Sequence, residues 1–332
     1  MVFRKYCVDQ FGVVLHLSKS TDYYYTLGEN GSLFGTYDDV WLEVKIRSYS
    51  PADTYEFCDE DNVGYNIITK NLPWTEDTAK GYSRYRFSLR SIAAAEIGNL
   101  ITASLHATKN GIEYYTSDDE SSIELYAYNR LEKSSDSKLK NLLVDMLNYC
   151  AEAQSYFGYH ANRLVNANLT PAQAELATQN DIVPTQTQII TPLDGTPVLG
   201  FINSKSISLG NSIELKYYMT FDGSVDLDQV ELRLSYQPLR GDPVQVSISG
   251  SDFGYDSQNS RYYAKLTTIS AADTGVLVSA TLYENGVPIS DTLQYGIEVY
   301  CKNRFEKSSD EALKDLLHKL LKYTRNAEDY FS

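Results

Sequence analysis

The sequence predicts a mostly β protein with some α structure, built from two tandem β-sandwich units that are each closed by one long C-terminal helix. Three observations support this: an internal repeat over most of the chain, strand patterns with a hairpin turn in each copy, and a long amphipathic segment ending each copy. The chain has 332 residues, which suits two domains of about 150 residues each.

The repeat is clearest in the helical segments. About half of the positions in residues 126–157 are identical to those in residues 300–331, without a gap. In each copy, apolar residues recur at steps of three and four, which places them on one face of an α-helix. Each helix follows a Ser-Ser-Asp sequence, and Ser308 with Glu311 predicts a capping box at the start of the second one.

Strand patterns precede each helix and also repeat. Val40–Ile46 matches Val230–Tyr236, and both alternate between apolar and polar residues as half-buried strands do. Asn110-Gly111 and Asn285-Gly286 stand between apolar runs, and Asn-Gly is a strong signal for a two-residue hairpin turn. We therefore expect antiparallel sandwiches of the immunoglobulin-like type.

The repeat also sets the expected domain boundaries. Residues 1–180 form the first sandwich and helix with an ordered tail, and residues 198–332 form the second sandwich and helix. Residues 181–197 are rich in Thr, Gln and Pro and are predicted to be an extended linker, with a first strand of the second unit as the alternative.

The cysteines do not occupy equivalent places in the two copies, so we expect no shared disulfide framework. Cys150 lies on the apolar face of the first helix. Cys301 alternates with Ile297 and Val299, which predicts an inward-facing strand. Both cysteines are therefore interpreted as small buried apolar residues that form no bond with each other.

The net charge of −15 argues against nucleic acid or an anionic membrane as a partner, because both require clustered Lys and Arg. No apolar run is long enough to span a membrane, so no membrane insertion is expected. Residues 1–5 lack the pattern of a signal peptide.

Aromatic residues near predicted loops and strand ends form the first candidate site. An aromatic face with a carboxylate or amide nearby suits a sugar ring, and binding residues often lie on loops. The alternative is that these rings pack in the cores, which is favoured by the likeness between Tyr24-Tyr25 and Tyr217-Tyr218. The candidate ligand-binding residues are Trp74, Tyr82, Tyr85 and Tyr23.

A second candidate site is an acidic segment of the second unit. Asp222, Ser224, Asp226 and Asp228 place oxygen-bearing side chains at alternate positions, as loops that bind hard cations do. Calcium is the cofactor that this spacing would suit, and no other cofactor is predicted. The alternative is a solvated turn, and no glutamate stands where an EF-hand requires one.

No catalytic motif is found. The sequence contains no Gly-x-Ser-x-Gly, His-Glu-x-x-His, phosphate-binding or dinucleotide-binding pattern, and its four histidines are far apart. We therefore expect no enzymatic activity.

Residues 147–166 carry a family resemblance. They read Leu147-Asn-Tyr149-Cys-Ala-Glu-Ala-Gln154-Ser-Tyr-Phe157-Gly-Tyr159, with Asn162-Arg-Leu164-Val-Asn166 shortly after. This resembles a repeated module of large surface proteins of gut Clostridia, which reads Leu-Asn-Tyr-Gly-Ala-Ala-Ala-Gln-x-Tyr-Phe-x-Tyr and then Asn-Leu-Ala-Asn. The phrases that begin at Ile92 and Ile269 are also similar to that family, whereas Cys150 departs from its usual Gly.

The resemblance implies an extracellular protein, attached to the cell surface or wall, of the kind described as adhesins, and it implies no catalytic residue. The predicted function is therefore a non-enzymatic surface protein that serves in adhesion or as a spacer and scaffold. The alternatives are a carbohydrate-binding protein that uses loop aromatics, or an accessory module of a glycan-degrading enzyme or complex. The expected partner is a surface protein or a glycan, and the chain is expected to be a monomer.

Overall fold

The computed structural model describes residues 10–16, 20–26, 38–48, 57–58, 64–69, 74–77, 84–89, 92–115, 119–159, 161–195, 197–209, 213–267 and 269–332. The chain divides into two compact units. The first consists of residues 1–135 and 153–170, and the second consists of residues 136–152 and 171–332.

The first unit contains ten described strands in two antiparallel sheets. One sheet has the order β1-β2-β7-β6, and the other has the order β10-β8-β3-β5-β4 with β9 paired to β8. The strands are β1 Gln10–His16, β2 Ser20–Thr26, β3 Asp39–Ser48, β4 Phe57–Cys58, β5 Gly64–Thr69, β6 Trp74–Asp77, β7 Arg84–Leu89, β8 Ile101–Lys109, β9 Ile112–Tyr115 and β10 Asp119–Ser121.

The second unit contains ten further described strands, again in two antiparallel sheets. Their orders are β12-β13-β17-β16 and β11-β20-β18-β14-β15, with β19 paired to β18. The strands are β11 Ile189–Thr191, β12 Gly200–Ser208, β13 Glu214–Phe221, β14 Val230–Tyr236, β15 Val244–Ser249, β16 Gly254–Asp256, β17 Arg261–Leu266, β18 Val278–Glu284, β19 Val287–Pro288 and β20 Thr292–Tyr295.

The two units share most of their strand order and differ at the edges of the larger sheet, where the first unit adds β4 beside β5 and the second adds β11 beside β20. The four-stranded sheet has the order β1-β2-β7-β6 in the first unit and the equivalent order β12-β13-β17-β16 in the second. In the larger sheets, the order β10-β8-β3-β5 is equivalent to β20-β18-β14-β15. The predicted β-rich fold with antiparallel sheets and helices is confirmed. Both predicted hairpins are also confirmed: the Asn-Gly pairs at 110–111 and 285–286 have positive φ at both residues and join β8 to β9 and β18 to β19.

The core of the second unit follows from the alternation of its strands. Val230, Leu232 and Leu234 on β14 are buried, while Arg233 between them is exposed. Gly200 on β12 allows close approach of the two sheets, because a Cβ there would stand 2.9 Å from Leu282 Cδ1 on β18. The core therefore lies between the four-stranded and the larger sheet.

The described helices longer than one turn are two similar pairs. They are α1 Ile123–Lys133 with α2 Ser137–Phe157, and α4 Ile297–Lys307 with α5 Glu311–Phe331, while α3 Pro171–Ala174 is a single turn. The strand predicted from Ile297, Val299 and Cys301 is wrong, because these residues begin α4. Ile297 and Cys301 are four residues apart and share one face of a helix, so a short alternating pattern fits both structures.

The ends of α5 are as predicted, and its cap comes from the Ser-Ser-Asp sequence, but not from Ser308. Asp310 is the N-cap and its Oδ1 accepts a hydrogen bond from the Leu313 backbone N–H at 3.0 Å. Ser308 instead accepts from the Asp310 backbone N–H, and Glu311 pairs with Lys314. The predicted capping box between Ser308 and Glu311 is therefore wrong.

The two long helices differ in how much of their surface is covered. Leu143 and Leu317, at equivalent positions, are both fully buried. Val144 and Ala151 of α2 are also buried, whereas the equivalent residues of α5 are His318, which is half-buried, and Arg325, which is exposed. Helix α2 is therefore covered on nearly all sides, while α5 keeps an exposed face.

Residues 181–197, predicted to be a linker or a first strand, belong to the second unit and contribute the strand β11, which pairs with β20. Side-chain contacts fix the chain before β11. Lys322 on α5 donates to the Gln179 carbonyl and forms an ion pair with Asp181 at 2.9 Å, and Gln186 donates to the Gly275 carbonyl.

Candidate functional site

Three of the four predicted aromatic binding residues lie on neighbouring strands of the first unit's four-stranded sheet. Tyr23 on β2 and Trp74 on β6 are both paired with Phe87 on β7, and Tyr85 is two residues from Phe87. These positions therefore belong to one face of that sheet. Tyr23 pairs with Phe87 as Tyr217 pairs with Ala264, and Phe87 and Ala264 are equivalent in the repeat. The register therefore makes Tyr23 equivalent to Tyr217, one residue from the match that the sequence suggests for Tyr24-Tyr25. Tyr217 is fully buried, so the repeat favours a structural role for this position. Tyr82 lies outside the described residues.

The acidic segment predicted for calcium forms an exposed turn after β13. Asp222 Oδ1 accepts hydrogen bonds from the Ser224 backbone N–H at 3.2 Å and from the Ser224 hydroxyl. Asp226 Oδ1 accepts from the Asp228 backbone N–H at 3.1 Å, and thereby caps a short 3-10 helix. Within the residues that the structure describes, no three His, Cys, Asp or Glu side chains group where they could hold a metal ion.

A shallow groove lies between the edge strands β11 and β12 of the second unit. Its volume is about 120 Å³. Typical small-molecule pockets measure about 300–1,000 Å³, so this groove would hold one residue of a longer ligand. The lining residues are Ile190, Val198, Gly200, Phe201, Ile202, Asn203, Ser290, Asp291 and Leu293.

Polar groups stand at fixed positions beside the apolar part of this groove. Phe201 and Ile190 are about half exposed, at 46% and 53%. Asp291 Oδ1 accepts from the Leu193 backbone N–H at 2.9 Å, and Asn203 Nδ2 donates to Thr220 Oγ1 at 2.6 Å. Both side chains are thus oriented by the protein, while Asp291 Oδ2 and Asn203 Oδ1 are still able to accept hydrogen bonds.

A cation–π ladder crosses the outward face of the sheet that contains β12, opposite the buried side chains of Tyr217 and Met219. Arg261 Cζ lies 3.7 Å from the ring centroid of Tyr218, and Lys216 Nζ lies 4.9 Å from Tyr218 and 3.6 Å from Tyr263. The Tyr263 ring also lies against Gly254, where a Cβ would be 2.2 Å from Cζ. The chain's own groups occupy these rings, so the ladder joins β13, β16 and β17 rather than offering free stacking surfaces. The sequence analysis did not identify it, because its members come from three separate strands.

Helices α2 and α5 contact each other inside the second unit. Tyr149 and Tyr323 occupy the same position in the two 21-residue helices, and their rings stack with centroids 5.7 Å apart and planes at 10°. Asn326 donates to Asp145 at 2.6 Å. The equivalent pair also interacts: Glu152 stands at the position of Asn326, and Lys319 at the position of Asp145. Burial and the charge of Asp315 raise the Glu152 pKa, and the charge of Lys319 partly offsets that rise. The contact therefore has approximate two-fold symmetry.

The residues that carry the family resemblance meet in the first unit. Val165 is buried, and its backbone N–H donates to Gln154 Oε1 at 2.8 Å while its carbonyl accepts from the Tyr128 hydroxyl at 2.9 Å. Burial raises the Glu124 pKa, and the Arg163 guanidinium 3.9 Å away partly offsets that rise. These residues hold the chain after α2 against the first unit.

The described cysteines are free and buried, as predicted. Burial raises the Cys150 pKa well above its usual range and the Cys301 pKa to about 12. Cys150 lies in residues 136–152 and thus shares the second unit with Cys301, although the sequence analysis had placed the two in different units. Cys7 and the side chain of Cys58 lie outside the described residues.

The chain matches no protein-family model and no curated protein. Among the described residues, no helix combines the length and apolar character needed to cross a membrane.

Proposed function

We propose that this chain is a non-enzymatic, extracellular surface protein that acts in adhesion as a scaffold of interlocking repeats. In this proposal, each repeat is an immunoglobulin-like sandwich closed by its helix pair, as the repeated strand order and the repeated helices suggest. The cell-surface location and a protein or glycan partner follow from the resemblance to the clostridial surface module.

The observation that carries the scaffold proposal is the α2–α5 contact. Residues 137–152 belong to the first repeat by sequence, yet they lie in the second compact unit. Asp145 of α2 is 2% exposed there and accepts from the Thr178 backbone N–H and from Asn326. The second unit thus requires a segment from the preceding repeat, and a repeat protein joined in this way resists separation of its repeats.

Pulling on the full chain by atomic-force microscopy tests the scaffold proposal. We expect the unfolding event of the second unit to shift to lower force in Tyr323→Ala, because that change removes the symmetric stack. Tyr255→Ala, which alters a 54% exposed tyrosine of the same unit, is the matched control and should unfold like the unaltered chain. Equal unfolding forces for all three proteins would remove the scaffold proposal.

Carbohydrate binding is the second candidate, and the groove at Phe201 favours it. An exposed aromatic ring beside the Asp291 carboxylate and the Asn203 amide supplies the apolar surface and the acceptors that a sugar ring requires. This site differs from the loop aromatics predicted in the first unit. It would also serve an accessory module of a glycan-degrading complex.

A glycan array distinguishes this second candidate. We expect spots bound by the full chain to be lost in Phe201→Ala and in Asp291→Asn and kept in Tyr255→Ala. Binding that survives both groove variants would place any glycan site elsewhere. If no glycan on the array is bound, carbohydrate binding is refuted and adhesion to a protein partner remains the proposal.

A further inference from the structure

In the first unit, a side chain from the segment that follows α2 packs against the backbone of Gly98. A Cβ on Gly98 would stand only 2.9 Å from Val165 Cγ1 and 3.0 Å from Glu124 Oε2. Val165 is 1% exposed. Its isopropyl group therefore rests directly on bare backbone, and a larger residue than Gly at position 98 would displace it.

The same segment is held by polar groups around Gly98. Gln154 accepts from the Val165 N–H and donates to the Arg163 carbonyl at 3.4 Å, and Tyr128 donates to the Val165 carbonyl. Arg163 brings a positive charge to Glu124. The first unit thus shows how a notch made from the glycine, the first turn of α1 and the end of α2 binds a short segment of turns.

The second unit repeats this notch without the segment. Gly275 follows the 3-10 helix Ala271–Asp273 as Gly98 follows Ala94–Glu96, and Glu298 is the second residue of α4 as Glu124 is of α1. Among the described residues, the atom nearest to a Cβ on Gly275 is Glu298 Oε1 at 3.8 Å. The space that Val165 fills over Gly98 is therefore open over Gly275.

The charges of this second notch suit a cationic segment. Arg325 is paired with Glu298 at 3.3 Å and with Glu328 at 3.5 Å, so one guanidinium serves two carboxylates. Glu328 stands at the position of Gln154 and offers an acceptor to a backbone N–H. In the first unit, Arg163 of the bound segment is paired with Glu124, and the position of Glu328 is held by the neutral Gln154. In the second unit, Arg325 of α5 faces two carboxylates, so these three side chains carry one negative charge in excess.

An unused acceptor also lies beside Gly275. Gln186 donates from Nε2 to the Gly275 carbonyl, and its Oε1 is buried with no hydrogen-bond partner among the described residues. A buried amide oxygen in this state is unfavourable for the folded chain.

We propose that the notch formed by Gly275, Glu298 and Glu328 is a docking site for a short peptide segment of a separate protein. The segment has the chemistry of residues 163–165: a cationic residue two positions before a β-branched residue that rests on the glycine. This surface goes beyond the scaffold proposal and does not depend on it.

The test is binding of a fluorescent peptide with the sequence of residues 162–168 to the full chain, followed by anisotropy. We expect one peptide to bind per chain, and the affinity to fall at least tenfold in Gly275→Val. That substitution fits the open notch without a clash, so the variant should fold, which its circular dichroism will check. Gly223→Val, at a glycine with no neighbour within 4 Å, is the matched control and should bind like the unaltered chain.

Two further arms make the result decisive. A peptide in which the valine is replaced by glycine should bind at least tenfold more weakly, and added salt should weaken the original peptide because a charge pair contributes. Equal binding by the two peptides, no binding up to millimolar concentration, or binding unaffected by Gly275→Val would overturn the proposal. A third outcome is that the chain dimerises, that Gly275→Val abolishes the dimer and that the peptide does not bind. This outcome would show that a second copy occupies the notch and that the separate partner is wrong.

Discussion

Replacing Tyr149 by alanine removes one half of the symmetric tyrosine stack between α2 and α5. Tyr149 is 4% exposed and Tyr323 is 8% exposed, so the substitution leaves a cavity rather than a solvated gap. Truncating a large buried aromatic residue costs about 3–5 kcal/mol in the free energy of unfolding. The stacking itself contributes about 0.5–1.5 kcal/mol of this, which a double-mutant cycle with Tyr323→Ala would measure as coupling.

The location of the destabilisation is as informative as its size. Tyr149 belongs to the first repeat by sequence but to the second compact unit by contact. Hydrogen exchange measured by mass spectrometry should therefore show faster exchange in β13, β14 and β18 of the second unit. Strand β8 of the first unit is the internal comparison and should change less. Faster exchange confined to β8 would mean that α2 closes its own sandwich, and would refute the interlocking of the repeats.

Three further predictions concern a cap, a buried acid and the thiols. Asp310→Ala should lower the free energy of unfolding by about 1 kcal/mol, measured by urea titration, whereas Ser308→Ala should cost less because Ser308 does not cap the helix. Burial raises the Glu96 pKa above its ordinary 4.5, so the unfolded state loses this proton first as pH rises. The chain should therefore lose stability relative to Glu96→Gln from about pH 4.5 upwards, and a constant difference would contradict this. Cys150 and Cys301 should resist alkylation at pH 8 in the folded protein and react in urea, as peptide mass spectrometry would show; labelling at equal rates in both states would contradict their burial.

Much of the fold could be predicted because the repeat doubles each signal. Residues 137–157 and 311–331 form helices with the expected bounds, since their apolar periodicity extends over five turns and Ser-Ser-Asp marks each start. The Asn-Gly turns at 110–111 and 285–286 specify hairpins through local backbone preference alone. These features depend on residues close together in the sequence.

The helix α4 and the surroundings of α2 could not be predicted with the same reasoning. Ile297, Val299 and Cys301 are too few to separate a period of two from a helix face. One signal was available for α2: Val144 and Ala151 stand where α5 has His318 and Arg325, so α2 has apolar residues outside the shared face. The sequence cannot say which element covers that second face, because the partner helix lies far along the chain.

In the candidate site, too, single residues can be recognised in the sequence, whereas their contacts across the chain cannot. The groove at Phe201 joins residues of β11, β12 and the segment before β20, and nothing in the sequence relates Ile190 to Asp291. Gly98 and Gly275 are visible in the sequence as equivalent residues. Only the structure shows that Val165 packs against Gly98, whereas the Glu298 carboxylate at 3.8 Å is the nearest described group to a Cβ on Gly275.

The position of α2 has a consequence for the order in which the chain assembles during synthesis. Residues 137–152 leave the ribosome before every strand of the unit that contains them, and their last partner, α5, is the final element of that unit. Domains generally fold as units from the N-terminus, but this apolar helix has no complete core to join until the chain has reached α5. Contacts such as Tyr149 with Tyr323 close a very long loop, which slows docking. A nascent chain therefore exposes α2 from the time this helix is made until α5 follows it, and the apolar surface of the helix is open to aggregation during that interval.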